Sequence, residues 1–303
     1  MTAADGTPTG GTPTGGTNPT DATPAGTATG GTPGTGLGPL ESRLRAARAA
    51  GRKLLVPYVT GGFPDWERTV EACALAGADA IEVGIPFSDP VIDGPTVQEA
   101  SERALAAGAT PQSIVGAMAE IDTGGVPLVV MTYYNIVHRY GHERFASSLV
   151  QAEVSGAIVP DLPLEEVGPW ASAADAAGVE TVLLAAPTGS DDRLARICAR
   201  SRGFVYGVGL LGVTGERAAL ARSALDIARR LKAITDTPVL VGIGVSTAAQ
   251  AAEVATVADG AIVGSALVRR LLDGEGPTGA GEFVAGLRAG LDAASAPTPD
   301  PGS

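Results

Sequence analysis

A chain of 303 residues, 45% hydrophobic and 18% charged, carries enough apolar side chain for one sizeable core. Its formal charge of −12 argues against a general binder of nucleic acid or of an anionic membrane surface, although a local site still has room for one small phosphate. The two cysteines, Cys73 and Cys198, stand in neither a CxxC nor a metal-type spacing, so a reduced, cytoplasmic setting is the simpler expectation.

Residues 1–37 are almost entirely Gly, Thr, Pro and Ala, with near-repeats such as GTPTGGTPTGG. They offer little apolar surface to offset the entropy of ordering and read as a disordered tail. The segment lacks the basic start and apolar run of a secretory leader. Residues 295–303 have the same composition and read as a frayed end, which leaves 38–294 as one domain.

Along that domain, short apolar runs alternate with helical spacing. An amphipathic piece, Leu40–Ala50, comes first and suits a cap on the bottom of a barrel. A strand at Leu54–Thr60 is followed by a helix at Asp65–Ala76, and a strand at Ala80–Ile85 by a helix that Gly94-Pro95 opens. A further helix is expected at Pro111–Ile121. The pairs then continue as strand Leu128–Tyr133 with helix His142–Glu153, and strand Ala157–Pro160 with helix Leu164–Ala177. Next come strand Thr181–Ala185 with helix Asp191–Arg202, and strand Phe204–Gly209 with helix Arg217–Ile234. Strand Val239–Gly244 with helix Thr247–Thr256, then strand Ala261–Ser265 with helix Glu282–Ala294, complete the series.

The strands are continuous apolar runs, as parallel strands covered by helices should be. Eight of them in strict alternation with helices favour a closed (β/α)8 TIM barrel of the α/β class. An open doubly wound sheet is the alternative, but its GxGxxG turn is missing after the first strand, where the chain reads TGGFPD. No apolar run is long enough to cross a bilayer. In a barrel, chemistry belongs to the loops after the strands.

That rule draws attention to Glu82, an acid between Ile81 and Val83 in the second strand, and to Asp93 in the proline-rich loop beyond it. Desolvation should raise the pKa of Glu82 toward the range useful for proton transfer. Each residue also has a plain structural reading, Glu82 as a strand acid paired with a base and Asp93 as a turn or cap residue. Glycine turns at Gly212–Gly215, Gly242–Gly244 and Gly264-Ser265 follow the sixth, seventh and eighth strands, where backbone N–H groups can hold a phosphate. His138 and His142, spaced i, i+4, have no third partner in the sequence that would make a metal site, and a loop or solvent-exposed pair is the expectation.

The run IEVGIPFSDPVIDGPTVQ closely resembles the signature of tryptophan synthase alpha chains. Further matches stand in order at Pro57–Thr60, Met131–Asn135, Pro160–Pro163, Gly212–Gly215 and Gly264-Ser265. The resemblance spans about Leu40 to Asp273 and implies retro-aldol cleavage of indole-3-glycerol phosphate to indole and glyceraldehyde 3-phosphate. It implies Glu82 as general acid/base and Asp93 as acceptor of the indole N–H. It assigns Gly215, Gly244, Gly264 and Ser265 to the glycerol phosphate, and Tyr206 to a place near Glu82. Tyr58, Met131, Tyr133 and Ile158 become contacts of the indole pocket. Thr214 becomes the lid threonine that closes toward Asp93, and Pro86 and Asp89 become partner-facing.

The same resemblance implies no metal and no cofactor on this chain, with pyridoxal phosphate in a partner beta chain and an α2β2 assembly. Two departures bear on this. The lid reads GVGLLGVTG, with Gly209 and Leu210 where many members have Ser and then often Arg, and Phe63 stands in GGFPD where others have GDP. The altered lid keeps two alternatives open: a stand-alone lyase that releases free indole, and a barrel that only activates a beta chain.

Overall fold

The computed structural model describes residues 36–209, 217–242 and 244–295. By compactness the chain divides into Met1–Gly34 and Thr35–Ser303, and the first unit lies outside the described residues. So do most of the two expected tails, the lid residues Leu210 to Glu216, Thr214 and Gly215 among them, and Ile243.

Eight parallel strands close a barrel in sequence order: β1 (Leu54–Thr60), β2 (Ile81–Gly84), β3 (Leu128–Met131), β4 (Val154–Ile158), β5 (Glu180–Ala185), β6 (Val205–Val208), β7 (Val239–Gly242) and β8 (Gly260–Val263). β8 pairs with β1 from Leu54↔Gly260 to Pro57↔Val263, which seals the ring. The expected barrel is therefore present, with β2, β3, β6, β7 and β8 shorter than the apolar runs suggest. Those runs carry on past the last ladder residue because the first loop residues are also buried, as Ile85 and Tyr133 are. The largest offset is β4, which starts three residues earlier than expected. Glu153, at φ 55°, ends the preceding helix abruptly and hands the chain to the strand at Val154.

Around the ring run α1 (Pro39–Ala49), α2 (Trp66–Leu75), α3 (Pro95–Ala106), α4 (Pro111–Met118), α5 (Tyr134–Tyr140), α6 (His142–Gln151), α7 (Gly168–Ala177), α8 (Asp191–Arg200), α9 (Arg217–Lys232), α10 (Ala248–Ala255), α11 (Ser265–Leu272) and α12 (Gly276–Ser295). The sequence reading misses α5 and α11 and starts α12 late. α5 is only seven residues long and stops at Gly141, at φ 91°, while α11 begins where a strand end was expected.

Side chains alternate across each strand, so every second residue faces the barrel axis. Leu54, Val56, Ala80, Val129, Ile158, Val182, Phe204, Leu240 and Ile262 form the inner core. The same alternation puts Tyr58 on the inner face of β1, and Glu82 and Gly84 on that of β2. Leu55, Val59, Ile81, Val83 and their counterparts point outward, into the layer between strands and helices.

The bottom of the barrel is plugged. Leu40 and Leu44 of α1 complete the inner core from below. The buried Glu180 carboxylate accepts the Leu40 and Glu41 N–H groups at 2.7 and 3.0 Å, holding the orphan donors at the start of α1. Gly38 leaves room for that carboxylate, because a Cβ would lie 2.3 Å from the Glu180 carboxyl carbon and push it off the two N–H groups. Two aspartates make matching clamps at the bottom ends of strands. Asp79 exchanges bonds with Leu55, donating N–H to its carbonyl and accepting its N–H, both at 2.9 Å; Asp259 does the same with Val239 at 2.9 and 2.8 Å. Arg52 and Arg288 neutralise Asp79, and Lys232 and Arg48 neutralise Asp259. The bottom is thus committed to stability, leaving the top free for chemistry.

Candidate active site

At the top of the barrel lies a cavity of about 220 Å³ whose lining includes Tyr58, Glu82, Asp93, Met131, Ile158, Tyr206, Gly244, Gly264 and Ser265. Most of the residues named from the sequence therefore meet in one space. Leu184, Val208, Val97 and Pro160, to which the sequence reading gives no role in the site, supply further apolar wall.

Glu82 is 1% exposed, and its Oε2 has no hydrogen-bond partner among the described residues. Burial first, and then the charge of Asp93, push its pKa from 4.5 up to about 8. The reading of Glu82 as a strand acid paired with a base fails, since no Lys or Arg among the described residues lines the cavity. A carboxyl group that still holds its proton near neutrality is equipped to give it up and take one back.

Asp93 is half-buried, and burial raises its pKa while the Tyr133 hydroxyl, which donates to it, offsets part of the rise. Its loop is pinned from two sides. Gln98 of α3 donates from Nε2 to the Asp93 carbonyl at 2.7 Å, and Ile92 N–H donates to the Tyr133 phenol oxygen at 3.2 Å. Phe87, from the start of the same loop, stacks on the Tyr133 ring at 5.0 Å between centroids. Tyr133 is not part of the cavity lining; it stands at the N-cap of α5 and fastens the loop that carries Asp93.

The two inner tyrosines lean on glycines of the neighbouring strand. A Cβ at Gly84 would meet the Tyr58 hydroxyl at 2.0 Å, and one at Gly242 would meet the Tyr206 hydroxyl at 2.5 Å. The registers Tyr58↔Glu82 and Tyr206↔Leu240 put each glycine two residues beyond the tyrosine's partner, on the same face. Tyr58 is buried and Tyr206 half-buried, and desolvation drives the pKa of both hydroxyls up, so both remain protonated.

At the ends of β7 and β8 the lining is polar backbone. Ser265 is the first residue of α11, Gly264 is its N-cap, and Gly244 sits at φ 65° with open space where a Cβ would project. An eight-residue helix thus points its N-terminus toward the cavity, a setting that attracts an anion.

The remaining expected positions fall elsewhere. Pro86 is buried, whereas Asp89 is exposed and accepts a bond from Ser88. Val91, next in that loop, is 82% exposed. His138, which is exposed, lies in α5 and the half-buried His142 opens α6, so the loop alternative fails and the solvent-exposed one holds for His138; the Tyr134 hydroxyl meets His142 Nε2 at 3.2 Å. A larger groove of about 490 Å³ runs between the loops after β4 and β5, but its charged groups are committed, Asp161 to the Tyr134 N–H and Arg193 to Glu165.

Residues 44–281 match the family model described as tryptophan synthase alpha chain. The chain is 45% identical to the tryptophan synthase alpha chain of Thermobifida fusca over 84% of its own length and 98% of that protein's. It is 47% identical to that of Streptomyces coelicolor over 83% and 94%. Among solved structures, a chain of Mycobacterium tuberculosis tryptophan synthase superposes with a TM-score of 0.78 at 39% identity, covering 84% of this chain and 99% of that one. Tryptophan synthase subunit alpha of Legionella pneumophila superposes with a TM-score of 0.76 at 31% identity, over 85% and 100%.

Proposed function

The chain belongs to the tryptophan synthase alpha chain family, an enzyme family of lyases that cleave indole-3-glycerol phosphate, and from that premise we propose how its own residues divide the work. Glu82, protonated near neutral pH, donates its proton to indole C3. The ring becomes a cation whose N–H is held by the Asp93 carboxylate. The Glu82 carboxylate then removes the proton from the adjacent glycerol hydroxyl. The O–H electrons form the aldehyde, the carbon–carbon bond breaks, and its electrons neutralise the ring. Indole and glyceraldehyde 3-phosphate leave, and Glu82 has regained the proton it gave. Two proton transfers by one carboxyl group need no organic cofactor on this chain.

The buried, unpaired Glu82 facing Asp93 across an apolar cavity is the observation that supports this reading most directly. The apolar wall around Met131, Ile158 and Leu184 suits an indole ring. Gly244 in the turn after β7, with Gly264 and Ser265 at the N-terminus of α11, suits the phosphate of a substrate whose two ends must be held apart. Thr214 and Gly215 keep their assigned parts as lid and phosphate contacts within this proposal.

The partner of an alpha chain is a tryptophan synthase beta chain, and we assign pyridoxal phosphate to that chain and an α2β2 assembly to the complex. Asp89 and the exposed Val91 are the parts of the loop after β2 available to it, with the buried Pro86 stiffening the loop beneath. Among the described residues no helix is long and apolar enough to cross a membrane, and the proposed setting is the cytoplasm. Incubation of the full chain with indole-3-glycerol phosphate tests the reading. Indole and glyceraldehyde 3-phosphate should appear in equal amounts, and faster when a beta chain is added. Activity only toward another phosphorylated substrate would contradict it.

A further inference from the structure

The Tyr58 ring has two glycine neighbours. On the β8 side, a Cβ at Gly264 would stand 3.6 to 3.9 Å from Tyr58 Cβ, Cγ and Cδ1, so the root of the ring passes that glycine in ordinary contact. On the β2 side, the ring's far end occupies the space above Gly84: a Cβ there would lie 2.0 Å from the phenol oxygen and 2.5 and 2.6 Å from Cζ and Cε2. The hydroxyl therefore points to β2, away from the phosphate end of the cavity. Tyr58 stands opposite Glu82 in the register, and Gly84 follows Glu82 on the same face, so the phenol oxygen lies on the side of the cavity that holds the two acids.

A phenylalanine would supply the same apolar wall for an indole ring. The added oxygen is buried, and a buried hydroxyl is costly unless it is used. Two buried side-chain oxygens beside it, Thr60 Oγ1 and Glu82 Oε2, stand without a partner among the described residues, and the Thr60 side chain lies within reach of the phenol. We propose that Tyr58 is a positioning residue, whose O–H, turned toward β2 by Gly84 and Gly264, donates to the catalytic carboxylate on that side and holds it for proton transfer. The proposal rests on the reading of Glu82 and Asp93 as the reacting pair. Burial and the nearby charges of Asp93 and Glu82 keep the phenol protonated, so it acts as a donor only and exchanges no proton with substrate. A donor of this kind matters most just after Glu82 has released its proton, when a bare carboxylate faces an apolar wall.

Tyr58→Phe removes one oxygen and keeps the ring. The full chain, labelled with ¹³C at glutamate carboxyl carbons, is titrated by NMR, with the Glu82 signal assigned by its loss in Glu82→Gln. Indole release from indole-3-glycerol phosphate is followed in parallel. The Glu82 midpoint is expected to rise in Tyr58→Phe, with kcat falling about tenfold and KM little changed, a loss of the size expected for a hydrogen bond to a charged group. Gly84→Ala, whose Cβ displaces the hydroxyl, should shift the midpoint in the same direction. An unchanged midpoint and unchanged kcat in Tyr58→Phe would overturn the proposal and leave the hydroxyl to Thr60. The titration reads the Tyr58–Glu82 relation whether or not the chain turns over, so failure of the catalytic reading, seen as full activity in Glu82→Gln, is recorded separately.

Discussion

Asp93 stands near enough to Glu82 for its charge to make the second carboxyl harder to ionise. The two acids are separated by a loop that is stiff by composition and fastened by Gln98 and Tyr133. Their protonation states are thereby divided: Asp93, half-exposed and supported by a phenol donor, ionises first, and Glu82 holds its proton longer. Pairs of acids whose surroundings separate them in this way take different parts in a proton-transfer reaction.

The pH dependence of kcat/KM follows from that division. The reaction as written starts with Asp93 ionised and Glu82 protonated. The rate should rise through the Asp93 ionisation, which lies above the ordinary aspartate range, and fall as Glu82 ionises near pH 8. Initial rates of indole release between about pH 5 and about 9.5 check this, and a profile still rising beyond about pH 9 would count against a protonated Glu82.

Stability carries the opposite signature of the same group. Between 4.5 and about 8 the folded protein keeps a proton on Glu82 that the unfolded chain has already lost. Folding is therefore penalised as pH rises through that window, and the penalty levels off above it. Glu82→Gln, which cannot ionise, should melt higher than the parent at about pH 9 by an amount worth a few kcal/mol, with the difference shrinking toward about pH 5. Melting curves of the two proteins at both pH values measure it; a difference that does not change with pH would show that Glu82 is not desolvated.

At the other end of the barrel, Glu180→Ala should destabilise without harming chemistry. It strips the Leu40 and Glu41 N–H groups of their buried acceptor, a loss of about 1–3 kcal/mol. Chemical denaturation should show a lower midpoint, while KM for indole-3-glycerol phosphate stays unchanged. A full-strength midpoint would mean that α1 docks by its leucines alone.

Much of this was legible in the sequence because barrels repeat one physical unit. Eight apolar runs separated by helical spacing leave few other ways to bury their surface, and an acid between Ile81 and Val83 cannot escape desolvation. Ring closure follows from those facts, whereas the choice of Asp93, Gly244, Gly264 and Ser265 as companions of Glu82 came from the family resemblance, and they do meet in one cavity. What could not be read was pairwise. Gly84 and Gly242 are two of 42 glycines, and only the tyrosines resting on them give them meaning. Tyr133 reads as the end of a strand, yet its work is to hold the Asp93 loop, a role set by a contact 41 residues away in sequence. The helix at α5 is too short to stand out as a period, and the burial of Pro86 depends on a loop path that proline content alone does not fix.

Indole release from indole-3-glycerol phosphate by the full chain and by its Glu82→Gln variant tests the central claim most directly. The glutamine keeps the shape and hydrogen-bonding capacity of the side chain and removes only its ability to exchange a proton. The parent should release indole, and the variant should be slower in kcat by about 10²–10⁴-fold with KM nearly preserved. Equal turnover by the two proteins would contradict the assignment of Glu82 as the acid and base of the cleavage.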